Sequence, residues 1–107
     1  MLNLFKSNQL NQNQAHEQLS NDPSIKLIDV RTKAEYQDGH IKGSVNIPLD
    51  TLPTKVKTAL PKLDQTIFVV CYSGARASDA TRYLVKMGYT KVYNMGGVAT
   101  WTFGLVK

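Results

Sequence analysis

Apolar residues collect in short runs along this chain: KLIDV (26–30), SVNIP (44–48), TIFVVC (66–71) and KVYNM (91–95), with NLFK (3–6) as a possible fifth. Each reads as a β-strand by length and β-branched content. TIFVV shows no polar alternation, which suits a strand covered on both faces of a parallel sheet.

Between these runs the apolar spacing turns helical. SNQLNQNQAHEQLSND is rich in Asn and Gln, yet Leu10, Ala15 and Leu19 recur near helical spacing. We read it as a polar surface helix capped by Ser7 or Asn8 and ended at Asn21-Asp22-Pro23. Thr32 and Glu35 have the spacing of a capping box, so a short helix is predicted from Lys33. LPTKVKTAL (52–60) predicts another, stopped by Pro61. A longer one is predicted over 75–87, with Ala77, Ala80, Leu84 and Met87 along one face and Gly88 as a left-handed stop. Strands alternating with helices predict an α/β fold with a mainly parallel sheet. In such sheets ligands bind at the carboxyl ends of strands, and both Cys71 and Asp29-Val30-Arg31 fall there.

Length and composition narrow this picture. A chain of 107 residues suits one domain with its own core, and its hydrophobic (42%) and charged (20%) fractions are those of a globular protein. A single cysteine excludes an internal disulfide and suits a reducing compartment, so a cytoplasmic location is expected. The first residues lack a basic region followed by a long apolar run, so no signal peptide is expected. No apolar stretch approaches the roughly 18 residues a membrane span needs. The net charge of +5 comes from scattered lysines, with no basic run or aromatic-basic platform, so nucleic acid is not an expected partner. Small anions or acidic partners remain open.

The stretch VVCYSGARAS (69–78) carries the candidate chemistry. Gly74 permits a left-handed backbone, and Ser73 and Ala75 are small. Such a loop can turn successive N–H groups inward as an anion-binding nest at the start of the next helix. A thiol placed there ionises readily, and Arg76 adds a permanent charge and a forked donor. Cys71 is therefore the candidate nucleophile for attacking or carrying something anionic. Tyr72 is either a pocket wall or a surface aromatic. Ser73 either donates to a bound anion or simply fits the turn.

CYSGAR resembles the active-site loop C-x-x-G-x-R of the rhodanese-like sulfurtransferases. LIDVRTKAEYQDGHIKGSVNIP is similar to that family's amino-terminal signature, through Asp29, Arg31, Glu35, Gly39, His40, Ile41, Gly43, Asn46 and Pro48. YLVKMGYTKVYNMGGVATW resembles its closing segment, with Gly96, Gly97 and Trp101. The likeness covers about residues 24–104 of what reads as a single domain, 1–107. It implies a five-stranded parallel sheet flanked by helices on both faces, and a Cys71 that takes a sulfane sulfur from a donor such as thiosulfate. A cyanide, thiol or protein acceptor then removes that sulfur from the Cys71 persulfide, with no metal or organic cofactor. Tyr72, Ser73, Gly74, Ala75, Arg76 and Arg31 are the expected anion-binding residues. A persulfide carrier or interaction module with little free turnover is the alternative. A phosphatase of related fold is a third reading, weakened because such enzymes have a loop one residue longer.

Other residues keep two readings. Arg31 either points toward the anion or pairs with Glu35 one helical turn on. Asp29 is expected to hold a loop by accepting backbone N–H bonds. His40 resembles a turn anchor in the signature more than a general base, His16 has no assigned role, and Trp101 is expected in the core. Asp79 in the first turn after the loop suits the helix dipole.

Overall fold

The computed structural model describes residues 8–107. The elements are α1 (Gln12–Asn21), β1 (Lys26–Asp29), α2 (Lys33–Gln37), β2 (Val45–Asn46), α3 (Leu52–Ala59), β3 (Thr66–Cys71), α4 (Ala75–Lys86) and β4 (Lys91–Gly97). Single 3-10 turns at Leu49–Thr51 and Val98–Thr100 precede α3 and follow β4. The sheet has the order β2-β1-β3-β4, with every pairing parallel.

Five strands were expected, and the described residues contain four. The candidate fifth, 3–6, lies outside the described residues. Beside it, Gln9 makes a lone parallel bridge to Asn94 at the β4 edge. The run at 44–48 contributes only Val45–Asn46 as strand, because Pro48 has no N–H for a ladder and the chain turns into the 3-10 segment.

β3 is the central strand, and its side chains alternate between two apolar layers. Ile67, Val69 and Cys71 face one layer, with Ile28 and Val30 of β1 and its continuation, Leu52 and Val56 of α3, and Ala77, Ala80 and Leu84 of α4. Phe68 and Val70 face the other, with Leu27, Met95 and Ala15 of α1. Helices thus cover both faces, as expected, and TIFVV is buried on both sides. Truncating a side chain as enclosed as Phe68 to Ala removes about 3–5 kcal/mol of stability.

Local signals set most helix ends. Thr32 and Glu35 form the reciprocal capping box at α2. α1 starts later than its polar tract suggests, because Asn11, rather than Asn8, accepts the N–H groups of Asn13 and Gln14, while Ser7 lies outside the described residues. Met87 caps the end of α4 and is exposed instead of completing the buried stripe. Among the described residues no helix is long and apolar enough to cross a membrane.

The connections create a switch point. From β1 the chain moves to β2 on one side, then returns past β1 to β3 on the other. The crevice between the carboxyl ends of β1 and β3 is where α2 and α4 diverge, the place where open α/β sheets bind ligands.

Candidate active site

Cys71 ends β3 with only 1% of its surface exposed, packed in the layer beneath α4. The chain then leaves the sheet through Tyr72 and Ser73 and re-enters regular structure at Gly74, the N-cap of the 12-residue α4. Gly74 has φ +113°, a conformation that L side chains rarely adopt. That turn lets the Gly74 N–H double back and donate to Cys71 Sγ at 2.9 Å. The first helical bond of α4 runs from Ser78 N–H to Gly74 O. Earlier N–H groups of that turn therefore have no intrahelical carbonyl to meet, and the helix offers partial positive charge at this end. Tyr72 stands out at the rim, 55% exposed.

The end of β4 holds the loop. Between Val69 and Cys71, β3 advances two residues, while the paired stretch of β4 from Asn94 to Gly97 advances three. The extra residue is a bulge, with Gly96 at φ +87°. It re-aims Asn94, whose Oδ1 accepts the Gly96 N–H and whose Nδ2 donates to Gly74 O at 3.3 Å. It also sets Gly97 directly beside the loop backbone. A Cβ on Gly97 would lie 1.8 Å from Tyr72 O, so only glycine fits. Tyr72 O accepts the Ala99 N–H, and Gln12 Nε2 from α1 donates to the carbonyls of Met95 and Gly97. An open cleft of about 580 Å³, lined by Gln12, Ser73, Gly74, Asn94 and Gly96 among others, flanks this scaffold. Cys71 is not in its lining, so the site is located by the sulfur's donor and not by the hollow.

Arg76 sits in the first turn of α4. Its Nη1 and Nη2 donate to Glu35 Oε1 and Oε2 at 2.7 and 3.0 Å, with both side chains about one-third exposed. Glu35 Oε1 also accepts the Thr32 N–H and hydroxyl. These donors, Arg76 first, hold the Glu35 carboxyl down at about 2. The same pair, with a smaller contribution from the charge at Cys71, raises the Arg76 pKa and keeps the guanidinium charged.

Arg31 corrects one expectation. It neither faces Cys71 nor pairs with Glu35. Its Nε and Nη2 grip the Asp29 carboxylate at 2.8–3.1 Å, Nη2 also donates to Gly39 O, and the residue is 4% exposed. The reason is strand parity. Asp29 is opposite Val70, so Arg31, two residues on, continues the face away from Cys71. Asp29 also accepts the Arg31 N–H, fixing the turn out of β1.

The remaining residues stand apart. His40 Nδ1 bonds Tyr36 O, its ring stacks on Tyr36, and its backbone pairs with Val106. His16 stacks on Phe103. Trp101 is half-buried at the edge of the core, with Nε1 donating to Gly104 O. Asp79 pairs with Arg82 on the surface of α4. Among the described residues no cluster of three or more His, Cys, Asp or Glu side chains could hold a metal. Asn94, Gln12 and the reach of Glu35 to Arg76 escaped the sequence reading. Only the helical placement of Gln12 and the Gly96-Gly97 pair gave any sign of them.

The fold and site define an α/β protein with a thiol and an anion-ready loop at its switch point. The chain belongs to the rhodanese-like domain family, whose model matches residues 11–103. It is similar to "Thiosulfate sulfurtransferase PspE" of Escherichia coli K12, at 41% identity over 80 residues, covering 75% of this chain and 77% of that protein. It is also similar to "Putative sulfur carrier protein YrkF" of Bacillus subtilis 168, at 36% identity over 87 residues, covering 80% of this chain and 46% of the other. Among solved structures it resembles a rhodanese with anions from E. coli, with TM-score 0.73 and 37% identity, covering 78% of this chain and 98% of that one.

Proposed function

We propose that this protein is a sulfurtransferase that moves a sulfane sulfur from thiosulfate, or a similar small anionic donor, to a thiophilic acceptor through a persulfide on Cys71. The observation that carries this reading is the Gly74 N–H aimed at Cys71 Sγ from the head of α4. A thiolate in that position is met by a donor at no cost in rearrangement.

In the first half-reaction the Cys71 thiolate attacks the outer sulfur of thiosulfate. The new Cys71 S–S bond forms as the donor's S–S bond breaks, and sulfite leaves with the bonding pair. In the second, cyanide or a thiolate attacks the terminal sulfur, the Cys71 S–S bond breaks, and the thiolate is restored. No net redox equivalent enters. Tyr72, Ser73, Gly74, Ala75 and Arg76 form the anion-binding loop. Arg31 grips Asp29 and Gly39 O and acts by holding the β1 turn.

Intact mass after incubation with thiosulfate tests this directly. A gain of one sulfur atom on the protein, removed by cyanide, is expected, and an unchanged mass overturns the persulfide. The Bacillus relative named as a sulfur carrier supports a second reading, delivery to a dedicated protein acceptor, in which the persulfide forms but cyanide turnover is slow. Hydrolysis of an aryl phosphate by the purified protein would instead favour phosphate chemistry. The lone thiol, with no partner for an internal disulfide, supports the reading that the protein works in a reducing compartment such as the cytoplasm.

A further inference from the structure

The Glu35–Arg76 pair differs in its geometry from an ordinary surface salt bridge. Such pairs contribute little because two long, mobile side chains must be held in one geometry. Here one partner is already held. Glu35 is the third residue of α2, and its Oε1 accepts the Thr32 N–H and hydroxyl while the Thr32 hydroxyl oxygen accepts the Glu35 N–H. The capping box therefore fixes the carboxylate before Arg76 arrives. Arg76 then meets it with both terminal nitrogens, 41 residues further along the chain. The carboxylate takes one N–H from each Nη. The Nε–H and the outer hydrogens of the guanidinium lie outside that grip. The pair also bridges α2 and α4 across the crevice where the thiol loop sits.

We infer that Glu35 is a positioning residue for the reaction at Cys71, setting the plane and reach of the Arg76 guanidinium so that its remaining donors meet the anionic sulfur donor. This rests on the sulfurtransferase reading for the identity of the donor, though not for the geometry. Glu35 touches no substrate and acts through Arg76. A fork whose orientation is set in advance binds an anion without first losing freedom.

Glu35→Gln separates positioning from support of the fold. Gln serves equally well at this place in a capping box, so α2 and the melting temperature stay close to the parent's. Its amide, however, presents an NH₂ to one of the two Arg76 nitrogens, a donor facing a donor, and the grip is broken. Two readouts apply. The KM for thiosulfate is expected to rise by about 5- to 10-fold, roughly 1–1.4 kcal/mol, while kcat stays within about 2-fold. Independently of turnover, Cys71 is the chain's only cysteine, so alkylation reads it alone. The rate ratio of anionic iodoacetate to neutral iodoacetamide should fall several-fold in the variant. Deleting a negative charge by itself would raise that ratio, so the sign distinguishes lost orientation from altered charge. An unchanged or increased ratio in a variant of parental stability overturns the inference. A lowered ratio in a protein that never turns over thiosulfate upholds it and overturns the donor assigned above.

Discussion

Two arginine–carboxylate pairs sit at neighbouring strand ends, and they do opposite work. At the end of β1, Arg31 and Asp29 are sealed, with side chains 5% and 0% exposed. On the helices that follow β3 and β1, Arg76 of α4 and Glu35 of α2 stand about one-third exposed over the crevice. The sealed pair spans only two residues at the end of β1, and Arg31 Nη2 also donates to Gly39 O. It has exchanged hydration for a fixed turn. The open pair joins two helices and leaves the Arg76 Nε–H outside its grip. The same two functional groups thus become a sealed clamp at a strand end or an open bridge between two helices, according to the elements that carry them and how much water reaches them.

Experiments can break that contrast, beginning at the thiol. Cys71→Ser should reduce thiosulfate:cyanide turnover below detection while moving stability by no more than about 1 kcal/mol, since size is nearly kept. Measurable turnover in the pure variant would remove Cys71 from the chemistry. Arg31→Ala should be the most damaging change to the fold, at about 3–5 kcal/mol, because it strands a fully buried carboxylate. Whatever fraction remains folded should bind thiosulfate with the parental KM, and a specific loss of donor binding would make Arg31 part of the site after all.

Gly97→Ala tests the buttress. The Gly97 backbone, with φ −141°, would accept alanine, so the penalty is purely the Cβ driven into Tyr72 O. We expect about 1–3 kcal/mol of destabilisation together with a fall in turnover as the loop is displaced. Full activity would show that the loop tolerates being moved. Arg76→Ala should reverse the Arg31 pattern, costing less than about 1 kcal/mol, as exposed pairs do, with a clear rise in the KM for thiosulfate. Chemical denaturation and steady-state kinetics on the two arginine variants, side by side, give the contrast directly.

The smallest effect is in acid. Glu35 is held near 2 against an ordinary 4.5. A depressed carboxyl contributes stability that is fully present above its unfolded value, so the contribution holds above about pH 4.5. It is lost as pH falls toward 2. Partial exposure keeps the amount modest. Melting temperature against pH should show a shallower decline over that window in Glu35→Gln, and parallel curves would mean the pair is not formed in solution.

Much of this was legible from residues alone because it is governed by local rules. The alternation of apolar runs with helical spacing led to a parallel α/β sheet, Thr32 and Glu35 announced their capping box, and a glycine three residues after a strand-ending cysteine pointed to the loop. Boundaries blurred where local choices are nearly equal, as among the asparagines before α1, or where proline cut a strand short at β2.

The tertiary structure alone decided which partners meet. Sequence spacing made Arg31 and Glu35 neighbours on paper, yet strand parity turned Arg31 inward to Asp29 and chain reversal at the switch point delivered Arg76 to Glu35. Nor did any local pattern reveal that one extra residue in β4 would swing Asn94 onto the loop and leave Gly97 without room for a Cβ. Propensity and periodicity act over a few residues, so the sequence by itself determined the elements and singled out Cys71 as the candidate nucleophile. Which charge faces which depends on register and burial across strands far apart in the chain, and those are set only when the sheet assembles.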